Sequence, residues 1–256
     1  MMRGSIFACA AAAVMVAAGP AWACRGAKTL FSDDFKQVDS SWGFDSPDVS
    51  VEEGKVKVKP QPDISNLLIY KAILFSNADY CITVRTPNSL TDTDNTMAGP
   101  LFWATDYDNY YMFMITPSGY AELTRKVAGK WINVVEWKQD PNIKRGSGSK
   151  NILEVETNGD TITAFINGQQ FASVKGQMPE GGGQIGMRAQ SEKAQVDTWK
   201  FTALKVTDLP SGTAPEPAAA QTPAPAAAPA TAPAAPAGAP AAVTPASPAN
   251  PTTPAQ

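Results

Sequence analysis

The chain of 256 residues contains no histidine. Histidine is the commonest general base in enzymes and the commonest metal ligand, so its absence argues against Ser-His-Asp catalysis, Cys-His catalysis and zinc chemistry. The common hydrolytic arrangement that remains is a pair of carboxylates held roughly 5 to 10 Å apart across a cleft, as in glycosidases.

Long hydrophobic runs are also lacking. The apolar run at residues 6–18 is too short and too rich in alanine to span a bilayer, which takes roughly 18 or more apolar residues. Arg3 precedes this run and a small-x-small sequence follows it, so we predict a bacterial Sec-type signal peptide at residues 1–23. The protein is then periplasmic or secreted, without an integral membrane segment after cleavage. A lipoprotein acylated at Cys24 is the less favoured alternative.

Charged and bulky apolar side chains are almost absent from residues 210–256, where Glu216 is the one charged residue. A segment of proline, alanine and threonine cannot bury enough apolar surface to offset the entropy of ordering it. We therefore predict a disordered Pro/Ala-rich tail. A solvated spacer is favoured over a tether in the cell envelope or a segment bound by a proline-recognising partner.

Residues 24–209 remain as one domain, and their pattern predicts an all-β fold. No segment shows a sustained 3.6-residue apolar period, whereas many short runs alternate between apolar and polar residues. Tight turns are predicted at Glu53-Gly54, Asn158-Gly159 and Asn167-Gly168. The predicted strands cover residues 49–51, 55–58, two stretches within 66–85, 131–138, 152–157, 161–166, 184–189 and 198–206. Even spacing of short strands is typical of a sandwich or jelly roll.

The stretch Leu101 to Ile115 predicts a β-hairpin composed largely of aromatic residues. Its turn contains Asp106, Asp108 and Asn109, whose side chains form the local hydrogen bonds that let a chain reverse.

Several short sequence segments along the domain together resemble one known family. They are Leu30-Phe-Ser-Asp-Asp-Phe35, Phe102-Trp103 with Asp108-Asn-Tyr-Tyr111, Gly129-Lys-Trp131, residues 151–168 and Gly182-Gly-Gln-Ile-Gly186. The domain resembles the concanavalin A-like, laminin G-like jelly roll and is similar to the 3-keto-disaccharide hydrolase-like family of bacterial secreted domains. The resemblance implies two antiparallel sheets packed face to face, with a concave sheet that holds sugars in relatives. It implies no particular activity, because this fold carries lectins, glycosidases and adhesion modules alike.

No catalytic residue is assigned. The glucanase branch of the resembling fold presents Glu-x-Asp-x-x-Glu on one strand, and this spacing is absent here. Glu154 and Glu156 share one face of a predicted strand, and we interpret them as solvated edge charges. The hydrolases of the resembling family are commonly metal-assisted, which the lack of histidine disfavours. The domain is therefore expected to be a binding module, with a glycan hydrolase or lyase, or a structural or protein-interaction module, as alternatives.

Only three cysteines occur, and Cys9 leaves with the predicted signal peptide. Alternation in residues 78–85 places Cys81 on the polar face of its strand, where a free thiol would be a liability in an oxidising compartment. We predict a Cys24-Cys81 disulfide. The alternatives are two free thiols, or an acylated Cys24 with Cys81 alone.

Calcium is the candidate metal, because it prefers oxygen ligands and laminin G-like relatives often hold it near a sheet rim. The predicted site consists of Asp92, Asp94 and Asn95, with the turn residues Asp106, Asp108 and Asn109 as a second cluster. Turn formation by side-chain hydrogen bonds explains both clusters without a metal, and no other cofactor is predicted.

The predicted ligand-binding residues are Tyr107, Asp108, Asn109 and Tyr110, because the two tyrosines bracket the turn and are expected to be exposed. Trp103 is expected to share a buried face with Leu101, and Trp131 and Trp137 are expected to be buried as well. The net charge of -3 makes nucleic acid a poor partner. A glycan or another cell-envelope component is the predicted partner.

Overall fold

The computed structural model describes residues 24–44 and 46–211. The predicted signal peptide at 1–23, and the predicted tail apart from its first two residues, lie outside the described residues. Among the described residues, no helix has the length and hydrophobicity needed to cross a membrane.

The described chain is a succession of antiparallel strands with one short 3-10 helix at Ser40–Trp42. The strands in chain order are β1 (Thr29–Asp33), β2 (Val49–Glu52), β3 (Lys55–Val58), β4 (Ser65–Ile69), β5 (Ala78–Arg85), β6 (Met97–Asp106), β7 (Asn109–Ile115), β8 (Tyr120–Val127), β9 (Lys130–Gln139), β10 (Lys150–Asn158), β11 (Thr161–Ile166), β12 (Gln169–Lys175), β13 (Gln184–Gln190) and β14 (Trp199–Thr207). The predicted strands are all present. Strands β1, β8 and β12 were not predicted from the sequence.

The strands form two sheets, as the predicted jelly roll requires. The back sheet has the order β12-β11-β10-β5-β14-β3-β2, with β1 paired to β14. The front sheet has the order β4-β13-β6-β7-β8-β9. Non-sequential neighbours such as β5 and β14 bring distant parts of the chain together, which is typical of antiparallel sandwiches.

The core lies between the two sheets and follows from the two-residue period of the strands. In β5 the side chains of Tyr80, Ile82 and Val84 are buried in the main core cluster, whereas Asp79 and Cys81 alternate with them. Burial of each large apolar side chain contributes about 1.5 to 3 kcal/mol of stability, so this shared core holds the two sheets together.

Two turns show why the predicted reversals form. Asn167 and Gly168 both have positive φ, 51° and 82°, as a type I′ hairpin turn requires. The Asn167 side chain adds support, because its Oδ1 accepts from the Ile152 backbone N–H at 2.9 Å. At the second predicted turn β10 extends through Asn158, and Gly159 and Asp160 make the reversal.

A bulge in β6 changes the predicted environment of Trp103. Its backbone has φ of 49° where the register between β6 and β7 shifts. Leu101 belongs to the apolar cluster on the outer side of the front sheet, whereas Trp103 belongs to the main core. The prediction that Trp103 is buried is correct, but the prediction that it shares a face with Leu101 is wrong because the bulge turns it over.

Candidate ligand-binding face

The front sheet curves strongly, so that its outer side is concave. Arg188 on β13 and Trp131 on β9 are separated by four strand spacings, which is about 19 Å across a flat sheet. The carbon of the Arg188 guanidinium nevertheless lies 5.4 Å from the centroid of the Trp131 ring. Two side chains close this gap only because the sheet bends towards its outer side. We call this side the concave face.

The floor of the concave face is apolar. A second hydrophobic cluster, separate from the main core, covers it and includes Leu101, Tyr110, Met112 and Met114. The polar groups of this floor are on β8, where Glu122 lies opposite Met114 and Thr124 lies opposite Met112. The four apolar side chains are 0 to 4% exposed, so the floor is a closely packed layer and not an open pocket.

Arg188 extends across this floor at Gly99, which has no side chain to obstruct it. The two residues are opposite each other in the register of β13 and β6. A Cβ atom at Gly99 would lie 1.9 Å from the Phe113 carbonyl oxygen, so no side chain can occupy this position. The guanidinium extends past Gly99 to β7, where Nη1 lies 3.4 Å from the Met112 sulfur.

The guanidinium of Arg188 is only partly satisfied. The residue is 7% exposed, and its Nη2 donates to Ser65 Oγ at 2.6 Å and to Gln190 Oε1 at 3.0 Å. Its Nε has no hydrogen-bond partner, and no carboxylate of the described residues lies within ion-pair distance of it. Burial lowers the pKa of Arg188, while Tyr110 and Glu122 act in the opposite direction.

Glu122 is the buried acid of the concave face. Burial raises the pKa of its carboxyl, and the Thr124 hydroxyl and the Arg188 charge oppose this rise. The charge of Glu136 on β9 raises the pKa of Glu122 further. Glu136 itself accepts from Asn133 Nδ2 through both carboxylate oxygens, each at 3.0 Å. Neither acid was predicted from the sequence as a site residue.

One end of the face is aromatic and basic. The register aligns Tyr110, Lys126 and Trp131 on three adjacent strands. The rings of Tyr110 and Trp131 meet edge to face at 5.9 Å, and Lys126 Nζ lies 5.8 and 5.6 Å from their centroids. Lys126 Nζ is also paired with the Asp108 carboxylate at 2.8 Å. Its charge is therefore partly neutralised.

The predicted exposure of the aromatic residues is partly wrong. Tyr107 is exposed in the turn as predicted, but Tyr110 is 2% exposed because its ring lies on the concave floor beside Trp131. Trp131 and Trp137 were expected to be buried, and they are 48% and 36% exposed. Both lie on β9, which is an edge strand of the front sheet within the described residues and has a neighbouring strand on one side only.

The four predicted ligand-binding residues lie at one end of the front sheet, around Lys126, and their role in binding stays a prediction. Asn109 is engaged in the turn, with Oδ1 accepting from the Ala128 N–H at 2.9 Å and Nδ2 donating to Asp106 at 2.9 Å. Asp108 is exposed and pairs with Lys126. Tyr110, on the concave floor, is the member that the structure places beside Arg188, Lys126 and Trp131.

Both predicted calcium clusters form side-chain hydrogen bonds within their turns. Asp92 Oδ1 accepts from the N–H groups of Asp94 and Asn95, at 2.9 and 3.2 Å. Asp106 Oδ1 accepts from the N–H of Asp108 at 2.7 Å. Asp94 and Asn95 also line a cavity of about 340 Å³ with Met97, Thr116, Tyr120 and Trp137. The calcium site stays a prediction.

The prediction that Glu154 and Glu156 are solvated is wrong. Both are buried on the outer side of the back sheet, 1% and 6% exposed, with Asp79 beside them. They are covered by the N-terminal segment, because Arg25 donates from Nε to Glu154 and from Nη2 to Glu156, each at 2.8 Å. A cation of the chain thus already occupies this acidic cluster.

The predicted disulfide holds the same segment in place. Cys24 is bonded to Cys81, with the two Cα atoms 5.4 Å apart. Alternation in β5 correctly placed Cys81 on the side of the back sheet away from the core, where the N-terminal segment reaches it.

Comparison with known proteins identifies the fold. Neither a protein-family model nor a curated protein sequence matches the chain. The carbohydrate recognition domain of Emp47p matches with 13% identity and a TM-score of 0.54, over 70% of this chain and 95% of that domain. The β-glucanase of Bacillus licheniformis matches with 11% identity and a TM-score of 0.51, over 70% and 97%. A β-1,3-1,4-glucanase from a mouse hindgut metagenome matches with 9% identity and a TM-score of 0.52, over 70% and 99%. Likeness at such identities shows the fold alone: the chain has the concanavalin A-like jelly-roll fold.

Proposed function

We propose that the protein is an exported, non-enzymatic module that binds a saccharide on the concave face of its front sheet. The observation that carries this proposal is the half-exposed Trp131 ring beside the Arg188 guanidinium on a curved, apolar floor. Aromatic rings stack on the apolar faces of sugars, and a few fixed polar groups orient the bound molecule. Solved structures of the same fold include a carbohydrate recognition domain and glucanases, which is consistent with this use.

An exported location agrees with the chemistry of the domain. A disulfide is typical of the periplasm and the cell exterior and is rare in the cytosol. The predicted signal peptide at residues 1–23 leads to the same compartment. A glycan of the cell envelope or its surroundings is therefore the proposed partner.

The test is a glycan array probed with the full mature chain, followed by titration of each hit by calorimetry. Trp131→Ala is expected to weaken binding about 2- to 10-fold, because an aromatic stacking contact is worth about 0.5 to 1.5 kcal/mol beyond area burial. Tyr107→Ala is the matched control, since Tyr107 is equally exposed but lies in the β6–β7 turn. Loss of binding in Tyr107→Ala with no effect of Trp131→Ala would move the site to the turn and contradict the proposal.

A glycan hydrolase is the second candidate, and Glu122 with Glu136 favours it. Both acids belong to neighbouring strands of the front sheet, and burial raises the pKa of Glu122 as a general acid requires. Analysis of released sugars on each array hit separates the two functions. Product that disappears in Glu122→Gln, with binding retained, would establish hydrolysis and overturn the non-enzymatic proposal.

A further inference from the structure

We propose that Arg188 is the carboxylate-binding subsite of the concave face, and that the saccharide bound there is a hexuronate. The inference rests on the proposed saccharide-binding function and adds to it the charge and the chemical class of the ligand.

Arg188 is a buried cation with no ion pair among the described residues, since Glu122 acts on it only from beyond ion-pair distance. Arg188 is 7% exposed, and its contacts with Ser65, Gln190 and the Met112 sulfur are all with neutral groups. Its Nε–H has no acceptor among the described residues. A buried guanidinium is ordinarily paired with a carboxylate, because an unpaired buried charge is costly. A ligand anion would supply the missing partner.

The geometry of the unpartnered Nε–H suits a carboxylate. A guanidinium binds a carboxylate best through two parallel N–H groups. Nε–H is free, and the neighbouring Nη2 is held by the amide oxygen of Gln190 and by Ser65, which hydrogen-bond each other at 3.0 Å. Nε–H is buried, so an incoming carboxylate reaches it by displacing the weaker, neutral Gln190 acceptor from the neighbouring Nη2. Ser65 and Gln190 then retain each other as partners.

The Trp131 ring beside Arg188 favours a ligand that combines a carboxylate with a sugar ring. In a hexuronate the carboxylate is attached directly to the pyranose ring, so one residue can touch an indole and a guanidinium that are 5.4 Å apart. The face carries Glu122 and Glu136 as well, and Lys126 is already paired with Asp108. A single unpaired cation among acids favours a monoanion over a dianion such as a phosphate monoester.

The experiment is a titration followed by NMR of the Arg188 Nε–H and the Trp131 indole N–H in the full mature chain. The probes are the methyl glycosides of glucuronate and galacturonate, the matching neutral methyl hexosides, acetate and glucose 6-phosphate. A uronide is expected to shift both resonances and to bind about 10-fold or more tightly than its neutral counterpart, the usual effect of hydrogen bonds to a charged group.

Two variants test whether Arg188 supplies this preference. Arg188→Gln is expected to reduce the affinity for the uronide to that for the neutral hexoside. Arg188→Lys keeps the charge but loses the two parallel N–H donors, so it is expected to give an intermediate affinity. Arg85→Gln is the control, because Arg85 is an exposed arginine of the back sheet. Unfolding midpoints of all variants confirm that each is folded.

The outcomes separate this inference from the proposed function. Equal affinity for uronide and neutral hexoside, or a uronide preference that survives Arg188→Gln, overturns the carboxylate subsite and leaves saccharide binding intact. If acetate binds as tightly as the uronides, the site recognises a carboxylate without its sugar ring and the hexuronate assignment is wrong. If glucose 6-phosphate binds more tightly than the uronides, the preference for a monoanion is wrong. If no sugar shifts either resonance, both the inference and the proposed function fail.

Discussion

Arg25 Nε donates to Glu154 Oε1 at 2.8 Å, although the two residues are 129 positions apart in the chain. The same guanidinium bonds Glu156 and lies 4.0 Å from the centroid of the Phe165 ring, and the Arg25 backbone N–H donates to Asp79 at 2.7 Å. The residues just after the predicted cleavage site are therefore part of the fold. They cover three acids on the outer side of the back sheet.

The stability of the domain should depend on the protonation of Glu154. Burial, followed by the charge of Asp79, raises the pKa of Glu154 from its ordinary 4.5 to about 8. Oε2 of Glu154 has no hydrogen-bond partner among the described residues, and a protonated Glu154 could donate from this oxygen to the neighbouring Asp79 carboxylate. Between these two pKa values the folded state holds a proton that the unfolded chain has released. We predict that the free energy of unfolding decreases as the pH rises through this window.

Urea unfolding between about pH 5 and about pH 8.5 measures this dependence. Glu154→Gln keeps the hydrogen bonds of a neutral carboxyl, so it is expected to flatten the profile and to be more stable than the native chain at the alkaline end. Glu180→Gln, at an exposed position, should reproduce the native profile. The pKa values of Asp92 and Asp106 are lowered, so these carboxyls titrate below pH 5 and do not affect the pH dependence measured above it. A native profile that rises with pH would contradict the assignment.

Removal of Arg25 should destabilise the domain. Arg25→Met leaves Glu154 and Glu156 buried without their cation, and loss of two hydrogen bonds to charged groups is expected to cost about 2 to 4 kcal/mol near neutral pH. The deficit should shrink at about pH 5, because Glu156, whose pKa burial also raises, can then bind a proton as Glu154 already does near neutral pH. Arg85→Met is the control for loss of an arginine elsewhere on the back sheet. Chemical unfolding at both pH values measures the difference, and a deficit independent of pH would point to lost packing alone.

The sequence predicted the fold better than it predicted the site, for physical reasons that particular residues illustrate. Period-two alternation in β5 and the Asn-Gly turn at residue 167 are local signals, and both were interpreted correctly. Strand β8 was missed because its outer residues, Glu122 among them, are polar although they are buried. Glu154 was misassigned for a similar reason: its burial depends on a segment 129 residues away.

The disulfide should contribute strongly to stability. It links residues 57 positions apart, and closing a loop of this length in the unfolded chain corresponds to about 4 kcal/mol at 25 °C. We expect Cys24→Ser with Cys81→Ser to lower the free energy of unfolding by about this amount. The double variant with and without reductant should behave identically, whereas the native chain should lose stability when reduced. An unreduced mass that equals that of the free thiols would contradict the bond itself.

Replacement of Arg188 should stabilise the protein while it removes the proposed subsite. Arg188→Met exchanges a buried, partly unsatisfied cation for a shorter, unbranched apolar side chain on an apolar floor. Replacing a buried charge in this way is often neutral or stabilising by about 1 to 4 kcal/mol. Ser65 and Gln190 lose a donor but keep their mutual hydrogen bond. Arg85→Met, at the surface, should change stability by less than about 0.5 kcal/mol. Thermal and urea unfolding measure both variants.

Clear destabilisation by Arg188→Met would mean that the guanidinium is satisfied within the folded chain, and it would contradict the inference that an anion is missing from the site. Stabilisation together with lost uronide binding would mean that this domain retains a costly buried charge for its ligand.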